Sequence, residues 1–297
     1  MQSHVVATGI PFAEGPVWCD DGTVVVTSVA AGALYRVWPE RLHAEVFATT
    51  LGGANGAALA ADGSILVTQN GGMDFSNLPG VVGEMPTSPP ATPGLQLARP
   101  DGTVTYLVGE DLHGPNDLAI AADGAVYFTD PGHWPPPADR EIGRVMVYER
   151  DGSVRAFASG FFFCNGIAFE PDGTVVVVER QGLQRVRADG SREWVIERLG
   201  RGGGDGFCVD SQGRFYVACT VEHGIRVIEP DGSVADFWPI EGTGLCTNCC
   251  FGGADLRTLF VADALPGHLV AFDGCPTPGL ALPAWPGPAD TVSDGPS

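Results

Sequence analysis

Six short runs decide the fold: TVVVTSV (23–29), SILVTQN (64–70), AVYFTDP (125–131), TVVVVER (174–180), RFYVACT (214–220) and TLFVADA (258–264). Each is rich in the β-branched and aromatic residues that suit a pleated, half-buried strand. A turn signal stands before each. Four are Asp-Gly, at Asp21-Gly22, Asp62-Gly63, Asp123-Gly124 and Asp172-Gly173; the fifth is Gln212-Gly213 and the sixth Gly252-Gly253-Ala254-Asp255. A further strand-like run follows each: ALYRVWP (33–39), LQLARP (95–100), RVMVYER (144–150), LQRVRAD (183–189), IRVIEP (225–230) and HLVAF (268–272). Most of these end in another turn, such as Pro100-Asp101-Gly102 or Pro230-Asp231-Gly232, and lead to a fourth run such as VTYLV, VRAFA or VADFW.

Self-similarity at a fixed period marks a repeat architecture. Four antiparallel strands per unit, in six units, predict an all-β, six-bladed β-propeller. A β-sandwich with extra strands leaves the sixfold repeat unexplained. No Pro/Ser linker interrupts the array, so a single domain over 1–297 is expected. Within it, 71–94 is a loop insertion in the second blade, where Met73, Phe75, Leu78 and Met85 offer an apolar lid. A flexible tail is expected over 286–297. The N-terminal run at residues 4–8 is expected to supply the outer strand of the last blade.

The formal net charge is −20. Such a chain lacks the cationic surface that binding nucleic-acid phosphates requires, and an anionic membrane repels it. Its first residues carry neither a basic segment nor an apolar one, so no signal peptide is read there. No apolar run reaches the length of a membrane span. The eight cysteines (Cys19, Cys164, Cys208, Cys219, Cys246, Cys249, Cys250 and Cys275) are then expected to be reduced in a cytoplasmic protein.

One register picks out Glu14, Asn55, Asn116, Asn165, Asp205 and Asn248 at the start of each first strand. The first five stand eight residues before the turn glycine, and Glu14, Asn55, Asn165 and Asp205 are each followed by Gly. Asn-Gly and Asp-Gly are ordinary turn formers. Equivalent positions of equivalent blades, however, converge on a propeller's axis, so these side chains form a ring at one end of the channel. Carboxylate and amide oxygens are hard ligands suited to Ca²⁺, Mg²⁺ or Mn²⁺, and less typically to Zn²⁺. Two carboxylates beside one another also call for a cation to offset their repulsion.

At these residues the chain resembles the senescence marker protein (regucalcin)/gluconolactonase family of six-bladed propellers. The motifs are Ala13-Glu14-Gly15-Pro16-Val17-Trp18; Gly114-Pro115-Asn116-Asp117-Leu118 with Tyr127-Phe128-Thr129-Asp130-Pro131; Cys164-Asn165-Gly166-Ile167-Ala168-Phe169; Gly204-Asp205-Gly206-Phe207-Cys208-Val209-Asp210; and Thr247-Asn248-Cys249-Cys250-Phe251-Gly252-Gly253. The resemblance covers about residues 10–275. It implies metal ligands at Glu14, Asn165 and Asp205, with Asn116 beside the metal and in contact with substrate. It implies a metal-dependent lactonase acting on a small molecule, with calcium foremost among the cations; some relatives cleave phosphoester-type substrates. Animal members carry an Arg two residues before the position of Asn116, where this chain has Gly114. Trp134, Pro135-Pro136-Pro137 and Phe161-Phe162-Phe163 are the neighbouring apolar candidates; if they line the mouth, the substrate is less polar than an aldonolactone.

In such a site the metal polarises the carbonyl and Asp205 is the expected general base. A metal-bound carboxylate is a weak base, which leaves His133, two residues beyond Asp130-Pro131, as a second proton-transfer candidate. Cys246-Thr247-Asn248-Cys249 has redox spacing but enters a strand instead of the helix N-terminus that stabilises a thiolate. The other histidines lack metal-ligand spacing, and no G-x-S-x-G elbow is present. The alternatives are a metal-stabilised binding module without activity, or a hydrolase of phosphoester-type substrates.

Overall fold

A computed structural model describes residues 1–75, 85, 87–132 and 140–289. Among the described residues six four-stranded antiparallel sheets form, in the propeller order that the repeats predict. The innermost strands of blades 1 to 6 are Ala13–Trp18, Ala54–Leu59, Leu118–Ile120, Cys164–Phe169, Phe207–Val209 and Cys246–Gly252. The second strands are Val24–Ser28, Ile65–Gln69, Val126–Asp130, Val175–Glu179, Phe215–Cys219 and Thr258–Asp263. These second strands are the six runs quoted above. Neighbouring blades cover both of their faces, which is why they read as continuous apolar runs instead of alternating ones.

The core is therefore shared out between blades. Tyr216 and Trp238 of blade 5 pack on Phe251 and Phe272 of blade 6, with the Tyr216 and Phe251 rings 4.9 Å apart and nearly perpendicular. Phe260 and Leu269 of blade 6 meet Val24, Val26 and Val37 of blade 1 in the same way. Truncating one such buried aromatic to Ala costs roughly 3–5 kcal/mol.

The Asp-Gly signals all make one turn. Asp21, Asp62, Asp123 and Asp172 each accept, on Oδ1, the backbone N–H two residues on, at 2.9–3.0 Å. Each following glycine has φ near +85°, a conformation that costs glycine nothing. These turns lie at the end of the channel away from the ring.

The strand Ser3–Thr8 pairs antiparallel with His268–Phe272 and completes blade 6 from the other end of the chain. Val6 and Ala7 are buried by it. Circular closure of this kind covers the edge that His268–Phe272 would otherwise expose. The chain after Phe272 crosses the base. Leu280 N donates to Val209 O on the inner strand of blade 5, and Trp285 N donates to Leu59 O on that of blade 2, both at 2.9 Å. Blades 5 and 2 face each other, so this strap spans the channel beneath the axis. Trp285 is buried against Ala60, Leu118 and Tyr148. Of the tail expected over 286–297, Ala289 N donates to Arg150 O at 2.7 Å; residues 290–297 lie outside the described residues.

In the insertion, Phe75 is buried with its ring 4.9 Å from that of Phe12. Met73 and Met85 join it against Val29, Ala30 and Ala264, on the rim of blades 1 and 6. Leu78 lies outside the described residues. All eight cysteines are free. No helix among the described residues is long and apolar enough to cross a membrane.

Candidate functional site

Each inner strand reaches the mouth of the channel through a loop that the last residue of the second strand holds in place. Gln69 Oε1 accepts Gly53 N and Gly71 N, at 2.6 and 2.9 Å. Asp130, fully buried, accepts His113 N and Gly114 N and pairs with Arg144, whose Nε lies at 2.9 Å. Glu179 accepts Phe162 N and Phe163 N, and Asp263 accepts Leu245 N at 3.0 Å and meets His223 Nε2 at 3.1 Å. Every one of these loops leads directly into a ring residue. A second belt joins blades: Thr27, Thr68 and Thr129 donate through Oγ1 to the carbonyls of Asn55, Asn116 and Asn165 on the next blade.

The X-Gly dipeptides follow from that closeness. A Cβ on Gly166 would stand 2.5 Å from Asp205 O, and one on Gly206 would stand 2.1 Å from Asn248 Cγ. Only glycine lets neighbouring inner strands approach this far. In blade 3 the place of that glycine is taken by Asp117, which the register analysis passed over.

Asp117 turns into the channel and changes the site. Asn248 Nδ2 donates to Asp117 Oδ1 at 2.8 Å and to Glu14 Oε2 at 3.1 Å. Three carboxylates thus share the mouth. Burial pushes the Glu14 carboxyl up to about 7, against the pull of the Gly15 N–H and the Asn248 amide. Burial and then the Glu14 charge raise Asp117 well above the usual carboxylate range. Asp205 is raised by its enclosure, by Glu14 and by Asp117, with the Asn165 side chain acting the other way.

Glu14, Asn55, Asp117, Asn165 and Asn248 are buried, whereas Asn116 and Asp205 are partly exposed. The Oδ1 atoms of Asn55, Asn116 and Asn165 are buried without a hydrogen-bond partner. Orphaned carbonyl oxygens beside mutually repelling carboxylates are the donor set of a hard divalent cation, so the residues fit one. Among the described residues no three His, Cys, Asp or Glu side chains stand close enough to hold a metal by themselves; the oxygens on offer are a mixture of carboxylates and amides. His133, Trp134 and Pro135–Pro137 lie outside the described residues.

From Asn165 and Asp205 a cleft of about 790 Å³ runs outward over blade 4. Phe162, Phe163, Trp194, Arg180 and Arg198 line it. The Phe161–Phe163 run is thus divided: Phe161 is core, fully buried under the Arg192 guanidinium, and the next two face the cleft. A recess of about 330 Å³ between Tyr127, Phe157 and Phe169 lies by the Asp172-Gly173 turn, at the far end from the ring.

The fold recurs in solved structures. A calcium-binding regucalcin from Agrobacterium tumefaciens superposes with a TM-score of 0.74 at 20% identity, covering 95% of this chain and 96% of that one. A gluconolactonase from Xanthomonas campestris gives 0.71 at 24%, covering 94% and 89%. In sequence, a gluconolactonase of Zymomonas mobilis is 25% identical over 87% of this chain and 78% of its own length. A 6-deoxy-6-sulfogluconolactonase of Pseudomonas putida is 28% identical over 43% and 47%. The family model described as SMP-30/gluconolactonase/LRE-like region matches residues 12–264, from the strand that carries Glu14 to the end of the last second strand. With that match spanning all six ring positions, the chain belongs to the SMP-30/gluconolactonase/LRE-like family.

Proposed function

We propose that the protein is a metal-dependent hydrolase that opens a lactone at the mouth of the channel. Glu14, Asn165 and Asp205 hold the cation, with Asn116 beside them and calcium as the first choice over zinc, magnesium or manganese. The observation that carries this is the meeting of three raised carboxylates with three partnerless amide oxygens where a cleft of about 790 Å³ reaches Asn165 and Asp205. The gluconolactonase relatives support a lactone as substrate, and the calcium-binding regucalcin supports the choice of cation. Eight free cysteines support a reducing, cytoplasmic setting.

A bound divalent cation supplies Lewis acidity toward the carbonyl oxygen and makes a nearby water more acidic. The protein's own part is positioning and proton transfer. Asp205, open to the cleft, takes the proton of the attacking water and returns it to the ring oxygen as the acyl C–O bond breaks. Asn116 orients the substrate from blade 3. The buried Asn248 amide holds Glu14 and Asp117 in place, so that little reorganisation is needed when charge develops.

The test is hydrolysis of a panel of aldono- and alkyl-lactones by the purified protein, before and after chelation and after addition of calcium. Chelator-sensitive opening of at least one lactone, restored by a divalent cation, is the expected result. Opening that survives exhaustive chelation removes the metal from the reaction; no opening under any condition leaves a binding module.

A further inference from the structure

The rim of the propeller is uneven. The loops that join second to third strands at the mouth span residues 29–32, 220–223 and 264–267 in blades 1, 5 and 6, and 70–93 and 131–142 in blades 2 and 3. In blade 4 the connection is only Arg180-Gln181, between the paired residues Glu179 and Gly182. This is the shortest of the six connections, and the cleft leaves the axis over that notch.

Two arginines, Arg180 and Arg198, stand in the notch. All sixteen of the chain's basic residues are arginine, against thirty-six acidic ones. Several described guanidiniums bind a carboxylate, as in Arg36–Asp21, Arg144–Asp130, Arg185–Glu170 and Arg214–Asp210. Arg180 and Arg198, both lining the cleft, have no ion pair among the described residues. Of the two glutamates beside them, Glu179 is buried and accepts the N–H groups of Phe162 and Phe163, and Glu197 is exposed. The Arg180 guanidinium lies 4.0 Å over the Phe162 ring. Stacking fixes its plane and leaves its edge donors unspent.

Arg180 also sits at φ +55°, at the first position of a two-residue hairpin turn, where glycine is the residue the backbone favours.

We propose that the blade 4 notch is a recognition site for an anionic substituent of the substrate, bound by Arg180 and Arg198 while the apolar part of the molecule lies on Phe162 and Phe163. The substrate class is a lactone bearing, away from its ring, a carboxylate, sulfonate or phosphate group. For turnover the inference rests on the hydrolase reading; for binding it rests on the cleft alone.

Two measurements separate these. The first compares kcat/KM for a γ-butyrolactone carrying a terminal carboxylate on its side chain with that for the matching primary amide. The wild-type protein favours the acid by about fivefold, the upper end of what an exposed charge pair gives, and the preference shrinks with added salt. In Arg180→Gly with Arg198→Gln the acid-to-amide ratio falls to about one. Arg180→Gly suits its backbone, so its melting temperature holds or rises and misfolding does not explain the loss. The second measures binding of the corresponding tetrahydrofuran acid and amide by calorimetry. If no lactone is opened yet the acid analogue binds in an Arg180-dependent manner, the hydrolase reading falls and the notch stands. A wild-type ratio near one in turnover, or equal binding of acid and amide analogues, overturns the notch while leaving hydrolysis intact. A sulfonate or phosphate in place of the carboxylate then ranks the anions.

Discussion

Asn248 and Asp117 meet at 2.8 Å across the channel, from blades that face each other. The bond joins residues 131 positions apart in sequence and sets an acid opposite an amide, directly beside Glu14.

Replacing Asp117 by Asn removes one of three crowded negative charges and keeps the shape. The metal-free protein is then expected to melt about 2–4 °C higher, the shift that ~1 kcal/mol gives in a domain of this size. Added calcium is expected to raise the melting temperature less than in wild type, because a weaker field draws the cation in. Thermal melts with chelator and with calcium check both signs. A lower metal-free melting temperature would assign Asp117 a purely structural part.

The Glu14 carboxyl gives a pH dependence. Its value is about 7 in the folded protein against an ordinary 4.5, so between those values the folded state holds the extra proton. Its contribution is fully present below about 4.5 and is lost as the pH rises through about 7. The size is about 3 kcal/mol at most. In chelator, the wild-type melting temperature therefore falls across this window relative to that of Glu14→Gln. Parallel curves for the two proteins would show that Glu14 ionises as freely as an exposed acid.

Asp205→Asn and Glu14→Gln separate base from ligand. The amide at 205 still offers an oxygen but accepts no proton, so hydrolysis drops by roughly 10²–10⁴-fold and saturating metal fails to restore it. Glu14→Gln acts through affinity, and excess metal partly recovers its rate. Both are assayed on one lactone across a calcium titration. Rescue of Asp205→Asn to near wild-type turnover would move the base elsewhere, with His133 the next residue to replace.

Deleting residues 1–10 opens the ring. Val6, Ala7 and the fully buried Ile10 lose their places, which costs about 5 kcal/mol in apolar burial, and His268–Phe272 becomes an exposed edge. The melting temperature is expected to drop by about 10 °C or more, with concentration-dependent aggregation on heating. An unchanged melt would place the closure in other contacts.

The repeats made the propeller and its ring legible because each blade uses the same turn, the same buried second strand and the same inward position. Asp117 escaped because strand alternation turns the neighbour of an inward residue away, and Asn116 already held the inward place. The inner strand of blade 3 begins only at Leu118, so Asn116 and Asp117 both precede the regular pairing and are free of alternation. The signal was nonetheless present: four ring residues are followed by Gly, and a carboxylate in that position cannot join the apolar core as Cys249 does in blade 6. The loop-holding roles of Gln69, Asp130, Glu179 and Asp263 were out of reach, since a polar side chain at a strand end looks the same whether it faces solvent or the amides of the preceding loop.

The strap beneath the channel and the Asn248–Asp117 contact above it are two diameters of one hoop. The lower diameter is covalent chain, pinned at Val209 and Leu59, and it keeps the blades from spreading at the base. The upper one is a pair of side chains that any ligand at the axis must rearrange. The molecule is therefore stiff at one end and adjustable at the other, like a cup whose rim gives while its foot stays round. On the proposed hydrolase reading, substrate arrives and product departs at the end whose tie across the channel is a pair of side chains.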